Sequence, residues 1–296
     1  MKTPYNEIVN IASIGSQTNP ISLNEILRKA NDEQLTPAAQ NKERVLLLGI
    51  DVQQDFMDNG ALGVPGAHGD VERMTQFIYN NMDKITNIAV SIDTHTPHQI
   101  FHPCWWIDEN GNNPAPYTPI TLADLDSGKY RAVIYPRQSR DYVEHLEKDG
   151  KKTLCVWSYH CLQGTSGAAF ENQFANMIYF HSVAKKAVTQ RLVKGQDPLS
   201  EMYGIIKPKN YINIDFLNKL ENYDKIIIAG EAKSHCVLES IKQILEHYAN
   251  RPEITQKIYI LEDCMSSIPG FEDVTEQTFD DFKKTYHVNI VKSTDD

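Results

Sequence analysis

Short apolar runs separated by helical patterns constrain the fold of this 296-residue chain more than any other feature. The runs are continuous rather than alternating, which is typical of strands that are covered on both faces. They lie at 45–50, 88–92, 153–157, 225–229, 257–261 and 288–291, with a weaker candidate at 187–193. Helical spacing recurs between them at 71–82, 170–180, 236–248 and 275–286. The alternation predicts an α/β fold of three layers, in which helices cover both faces of a mainly parallel, about six-stranded sheet.

Charge and cysteine usage exclude several classes of protein. The chain has 29 Lys and Arg against 39 Asp and Glu, a formal net charge of −10, which argues against a nucleic-acid or anionic-membrane partner. No apolar stretch is long enough to span a bilayer, and the first residues lack the layout of a signal peptide. Five cysteines are an odd and sparse set, so we expect no disulfide framework and a cytoplasmic location.

Three regions follow from the polarity of the chain. Residues 1–43 are polar and are predicted to be an N-terminal extension with a short helix near 23–30. Residues 44–296 are predicted to form a single domain. Within it, the stretch 104–150 is rich in Pro, Asn, Asp and Gly and is predicted to be a long excursion with one helix near 141–149.

Reactive side chains follow separate apolar runs. In open α/β sheets, ligands bind outside the carboxyl ends of the strands. The residues that directly follow each apolar run are therefore the candidates for a functional site. The residues found there are Asp51, Asp93, His95, His160, Lys194 and Cys236. The sequence therefore predicts that a carboxylate, metal-type ligands, a lysine and a thiol meet at one edge of the sheet.

Cys236 is the candidate nucleophile. It begins the predicted helix 236–248, with Ser234 as the expected N-cap. The helix dipole at this position favours a thiolate, and free backbone N–H groups there can stabilise an oxyanion. The alternative is a small buried hydrophobe, the usual fate of a free cysteine.

Asp51 and Lys194 are the candidate partners of this thiol. Asp51 can act as a general acid and base, and Lys194 can lower the pKa of the thiol and hold the aspartate in place. The alternatives are a loop-capping aspartate and a solvated surface lysine.

Asp93, His95 and His160 form a donor set suited to a catalytic zinc-like ion, because one carboxylate and two imidazoles leave positions open for water and substrate. His98 and His102 are candidates for an additional metal ligand or for the mouth of the pocket. Histidines in loops commonly have neither role, so packed or exposed residues are the alternative for each.

Four apolar side chains are expected to wall a pocket for a flat aromatic substrate. They are Phe56, Leu62, Trp157 and Tyr203. Ordinary core packing is the alternative for each of them.

Four motifs in this order resemble the isochorismatase-like cysteine hydrolases, and within them the nicotinamidase branch. The motifs are Asp51-Val-Gln-Gln-Asp-Phe56, Asp93-Thr-His95, His160-Cys-Leu-Gln-Gly-Thr-Ser-Gly-Ala168 and Gly230-Glu-Ala-Lys-Ser-His-Cys-Val237, with Lys194-Gly195 between the last two. The resemblance covers about residues 44–270.

The resemblance implies a catalytic triad of Asp51, Lys194 and Cys236, and a divalent metal on the Asp93, His95 and His160 set. Zinc is the expected ion, with iron and manganese as alternatives. It also implies a cis peptide between Glu231 and Ala232 and an oxyanion hole made of the Ala232 and Cys236 amides. The implied reaction converts nicotinamide and water to nicotinate and ammonia through a thioester. The implied partner is a small-molecule amide, and the resemblance allows a homo-oligomer.

Two departures from the pattern keep other functions open. A fourth metal histidine of some nicotinamidases would fall at Phe101, and the loop 231–234 is more charged than is usual. A related cysteine hydrolase acting on another amide or ureide is the first alternative. A catalytically idle metal-binding homologue is the second.

Overall fold

Ten strands and nine helices are found in the computed structural model, which describes residues 1–148, 152–207 and 212–295. In chain order the strands are β1 (Val45–Ile50), β2 (Ile85–Asp93), β3 (Trp106–Asp108), β4 (Pro119–Ile120), β5 (Tyr130–Ala132), β6 (Leu154–Cys155), β7 (Gln190–Lys194), β8 (Lys225–Gly230), β9 (Ile258–Leu261) and β10 (Asn289–Val291). The helices are α1 (Leu23–Asn31), α2 (Ala67–Asn80), α3 (Leu122–Asp126), α4 (Pro136–Lys148), α5 (Asn172–Ala184), α6 (Ile214–Leu220), α7 (Leu238–His247), α8 (Pro252–Thr255) and α9 (Glu272–Tyr286).

The central sheet has six strands in the order β10-β9-β8-β1-β2-β7, and every neighbouring pair is parallel. Alternate residues of β1 enter two separate cores. Val45 and Leu47 pack with α1, α2 and α5 on one face, whereas Leu46, Leu48 and Ile50 pack with α6, α7 and α9 on the other. The predicted three-layer architecture with a parallel six-stranded sheet is therefore confirmed.

One predicted strand is wrong and a weaker one takes its place. The run 153–157 contributes only β6, which pairs antiparallel with β4 outside the central sheet. It is apolar because Leu154, Val156 and Trp157 are buried in the core beside the excursion. The edge strand of the sheet is β7, where exposed Arg191 and Val193 alternate with buried Leu192 and Lys194. Its one-sided burial explains why its apolar signal is weak.

The N-terminal segment packs on the face of the sheet that carries α5. Ile8 and Ile26 are buried in the same core as β1, and the backbone N–H of Gly15 donates to Glu171 at the start of α5. The expected short helix is α1. This segment therefore covers α5 rather than extending into solvent.

The excursion contains more regular structure than the sequence predicted. Strands β3 and β5 form an antiparallel pair, and α3 and α4 follow one another along the chain. The helix expected near 141–149 begins at Pro136, because proline is well suited to the first turn of a helix. Residue 149 of this predicted helix and residue 150 of the predicted excursion lie outside the described residues.

None of the helices in the described ranges combines the length and the apolar character that crossing a membrane requires.

Candidate active site

The ammonium of Lys194 joins the three residues of the predicted triad at the carboxyl edge of the sheet. Asp51 directly follows β1, Lys194 ends β7, and Cys236 lies in the turn after β8. Nζ of Lys194 is 2.9 Å from Oδ2 of Asp51 and 3.6 Å from Sγ of Cys236. All three side chains are buried. A thiol, a proton acceptor and a cation thus occupy one water-poor pocket.

The backbone and a serine fix the orientation of Asp51. Its φ of 46° is uncommon for a residue other than glycine, and such conformations cluster at functional sites. Its N–H donates to Oγ of Ser91 at 2.9 Å, and the same hydroxyl donates to Oδ1 of Asp51 at 2.5 Å. Oδ2 therefore remains for Lys194 and the thiol.

The pKa of Cys236 is raised well above its ordinary value, in contrast to the expected lowering. Burial raises it most, and the charges of Asp51 and Asp93 raise it further, which together outweigh the opposing effect of Lys194. Burial also raises the pKa of Asp51. Burial lowers the pKa of Lys194, but the two carboxylates outweigh it and hold that pKa well above its usual range. The resting site consequently holds a protonated thiol beside a permanent ammonium.

The turn that carries Cys236 differs from the predicted helix start. Lys233–Val237 forms a π-helical turn before α7, and Ala232 rather than Ser234 is its N-cap residue. The Ser234 hydroxyl instead accepts the N–H of Ile268 at 3.0 Å and contacts Nδ1 of His235 at 2.8 Å. The peptide bond between Glu231 and Ala232 is cis, as the resemblance implied. The Ala232 N–H has no acceptor among the described residues and is available to a ligand.

Asp93, His95 and His160 bring three ligand atoms within 4.8 Å of one another. Nε2 of His95 is 2.8 Å and Nε2 of His160 is 3.7 Å from Oδ2 of Asp93. The opposite ring nitrogens face backbone carbonyls, with Nδ1 of His95 3.0 Å from O of Gly195 and Nδ1 of His160 2.7 Å from O of Ser158. If each Nδ1 donates its proton to that carbonyl, both Nε2 lone pairs point at the carboxylate. This donor set fits a divalent metal ion.

Two neighbouring residues hold this group in place. The Gln53 side chain accepts the N–H of Asp93 at 2.7 Å and donates to its carbonyl at 2.8 Å. Gly195 has φ of +79°, and a Cβ there would lie 2.4 Å from Cε1 of His95 and 2.5 Å from Oδ1 of Asp93. Only glycine therefore allows the chain after Lys194 to pass this close to both ligands.

The two additional histidines occupy different environments. His98 is exposed and lies outside the residues that line the pocket. His102 is fully buried, its ring centroid is 5.7 Å from that of His160, and its Nε2 has no hydrogen-bond partner in the described chain. Burial and the neighbouring His160 lower the pKa of His102 to about 3, so its imidazole is neutral.

A single cavity contains the expected aromatic wall and the reactive groups. Its lining includes all four predicted wall residues together with Asp93, His95, His160, Ala232 and Cys236. It also includes Phe101, the position at which a fourth metal histidine would fall, and residues that the sequence did not single out, which are Val64, Glu201, Met202, His235 and Ile268. His235 had a usable signal, because it directly precedes the candidate nucleophile.

Glu201 is the polar group of this wall. Its Oε1 accepts hydrogen bonds from Nε1 of Trp157 at 2.5 Å and from the hydroxyl of Tyr203. Burial raises the pKa of Glu201 to about 7, against the opposing effect of these two donors. One carboxyl group thus ties together two of the predicted wall residues.

Comparison with solved structures places this fold among known enzymes. The chain is similar to the nicotinamidase/pyrazinamidase of Acinetobacter baumanii, with 18% identity, a TM-score of 0.57 and coverage of 86% of this chain and 98% of that one. It is similar to the yeast nicotinamidase bound to the inhibitor nicotinaldehyde, with 18% identity, a TM-score of 0.58 and coverage of 84% and 99%. It is also similar to the pyrazinamidase of Pyrococcus horikoshii in complex with zinc, with 18% identity, a TM-score of 0.51 and coverage of 84% and 99%.

The chain has the isochorismatase-like α/β hydrolase fold, as its four motifs predicted. No protein-family model matches its sequence, and neither does any curated protein. The likeness to the nicotinamidase and pyrazinamidase structures is therefore one of fold, and the activity has to be argued from the site.

Proposed function

We propose that this protein is a metal-dependent cysteine amidohydrolase that converts nicotinamide and water to nicotinate and ammonia. The observation that carries the proposal is the position of Lys194, whose Nζ lies within 3.6 Å of Asp51, Asp93 and Cys236. One ammonium thus joins a nucleophile with its base to a metal-type donor set. The aromatic lining of the adjoining cavity suits a flat ring.

In the proposed acylation step, Asp51 takes the thiol proton of Cys236 as sulfur attacks the amide carbonyl carbon. Lys194 stabilises the thiolate during this transfer, which the raised thiol pKa makes necessary. The carbonyl oxygen gains negative charge and accepts hydrogen bonds from the Ala232 and Cys236 amides. The C–N bond then breaks, Asp51 returns the proton to the leaving nitrogen, and ammonia departs.

In the proposed deacylation step, Asp51 accepts a proton from water as the water oxygen attacks the thioester. Collapse of this second adduct releases nicotinate, and Cys236 regains its proton. A divalent ion held by Asp93, His95 and His160, with zinc as the proposed ion, supplies Lewis-acid anchoring of the pyridine nitrogen. Five unpaired cysteines support a reducing, cytoplasmic location for this chemistry.

The test is ammonia release from nicotinamide by wild type, Cys236→Ala and Cys104→Ala. We expect Cys236→Ala to lose activity by about a thousandfold or more, because the nucleophile is gone. Cys104 lies outside the cavity lining and serves as the matched control. Equal rates for wild type and Cys236→Ala would reject the mechanism. Turnover of another amide or a ureide without turnover of nicotinamide or pyrazinamide would reject the substrate and keep the chemistry.

A further inference from the structure

Two carboxyl groups are buried together beneath the loop that carries the proposed oxyanion hole. Glu231 directly follows β8 and precedes Ala232, and Asp70 lies on α2. Each residue is only 1% exposed, and the two carboxyl groups lie close enough together that each affects the pKa of the other. The proposed catalytic steps use neither of them.

The hydrogen bonds around this carboxyl pair leave one oxygen of each residue without a donor. Oε2 of Glu231 accepts the N–H of Ser266 at 3.4 Å, and Oδ1 of Asp70 accepts Nη2 of Arg73 at 2.7 Å. Oε1 of Glu231 and Oδ2 of Asp70 have no hydrogen-bond partner among the described residues. A proton shared by the two groups satisfies both oxygens, since a neutral carboxyl is a donor as well as an acceptor.

The charges in the surroundings favour one proton on the pair. Burial raises the pKa of Glu231 well above its ordinary value, and Asp70 raises it further. The titratable and charged groups that face the pair are Arg73 on α2, Asp58 in the loop before it and Cys264 after β9. Arg73 is one cation against two carboxyl groups, and Asp58 adds a third negative charge at longer range. Two ionised carboxylates without a second cation are costly in such a place.

We propose that protonated Glu231 donates a hydrogen bond to Asp70 and thereby positions the loop 231–236 for catalysis. Ser266 extends the same support, because its carbonyl accepts the N–H of Lys233 at 2.7 Å while its own N–H reaches Glu231. Glu231 and Asp70 touch no reacting atom in this scheme and act through the backbone that presents Ala232 and Cys236. The catalytic part of this inference rests on the proposed function, whereas the shared proton does not.

The pair makes the loop sensitive to alkaline pH. A pKa that is raised in the folded state stabilises the protein fully below the ordinary glutamate range, and this stabilisation is lost as pH rises through the raised pKa. Above it, Glu231 ceases to donate, and the loop loses its connection to α2.

The experiment compares wild type with Glu231→Gln, Glu231→Ala and the control Glu276→Gln. Gln at 231 keeps an N–H donor for Asp70 but does not titrate. Glu276 pairs with Lys233 of the same loop from the exposed side, so its replacement tests a general effect of charge there. We measure the melting temperature from pH 5 to 9, and kcat and KM over the same range.

We expect wild type and Glu276→Gln to lose melting temperature as pH rises, and Glu231→Gln to lose less. We expect Glu231→Gln to keep kcat near neutral pH within about threefold. We expect it to lack the decrease in kcat that wild type shows at alkaline pH when Glu231 ionises. Glu231→Ala is expected to lower kcat by about tenfold to a hundredfold with little change in KM, since a misplaced oxyanion donor costs about this much.

If the melting temperatures of wild type and Glu231→Gln change with pH in the same way, the shared proton is rejected. Different melting profiles with identical kcat profiles would reject the positioning role. If wild type hydrolyses no amide, the proposed function and the positioning role fail together, and the melting profiles still decide the shared proton.

Discussion

Nζ of Lys194 lies 3.1 Å from Oδ1 of Asp93, so the lysine of the proposed triad also touches the proposed metal-ligand set. The contact is fully buried. Burial raises the pKa of both carboxyl groups, but Lys194 and His95 outweigh it at Asp93 and hold that pKa well below its ordinary value, whereas the pKa of Asp51 stays raised. The reacting groups and the metal-type donors are consequently one electrostatic unit.

Replacement of this ammonium should damage both stability and catalysis. In Lys194→Met, Asp51 and Asp93 become buried charges without a cation, and we expect a loss of about 3–5 kcal/mol in the free energy of unfolding. The control Lys29→Met removes a half-exposed ion pair with Glu7 and should cost under about 1 kcal/mol. Urea titration measures both. Equal losses would contradict the central role given to Lys194.

The proposed metal-ligand set predicts that metal content depends on His160 and not on His98. His160→Ala should bind the divalent ion about ten to a hundredfold more weakly or worse, and should lose nicotinamide turnover. His98→Ala should retain both, because His98 is exposed and outside the cavity. Metal analysis after dialysis against a chelator, followed by readdition of zinc, provides the measurement. Full metal content in His160→Ala would contradict the assignment.

The sheet could largely be predicted from the sequence because doubly covered strands form continuous apolar runs. The errors share a cause, since such a run indicates burial but not the partner strand. The run 153–157 is buried beside the excursion, where it pairs with β4. Strand β7 carries polar residues because it lies at the edge of the sheet.

The proposed site could be predicted to the extent that single residues follow strand ends in recognisable motifs. The raised pKa of Cys236 could not, because it depends on the combined effect of burial and three charges from separate strands. Glu201 was missed for a related reason. A glutamate in a polar loop is expected to be solvated, and only the fold brings it to Trp157 and Tyr203.

Glu201 should give the pocket a titration near neutral pH. Its pKa is raised to about 7, so stabilisation from the neutral carboxyl is present below the ordinary glutamate range and is lost as pH rises through about 7. Ionisation places a negative charge next to Nε1 of Trp157. We expect a change in tryptophan fluorescence with a midpoint near pH 7 in wild type and none in Glu201→Gln. A Trp157→Phe variant shows whether the signal comes from that side chain, and an unchanged midpoint in Glu201→Gln would contradict the assignment.

Gly195 should tolerate no side chain, because two effects coincide there. Its φ of +79° disfavours any L-residue, and a Cβ would overlap His95 and Asp93. Gly128 provides a matched control, since its φ is +77° and a Cβ added there would meet no atom within 4 Å. We expect Gly128→Ala to lose about 1 kcal/mol in the free energy of unfolding from the backbone effect alone.

Gly195→Ala is expected to lose more stability than Gly128→Ala and to bind the divalent ion about ten to a hundredfold more weakly, because the ligands must move apart. Calorimetric titration with zinc and urea unfolding of both variants separate the two effects. Zinc affinity of Gly195→Ala equal to that of Gly128→Ala would show that the close approach of the backbone at residue 195 does not hold the ligands. In that case the support of the metal-ligand set would rest on Gln53, whose side chain holds the backbone of Asp93 through two hydrogen bonds.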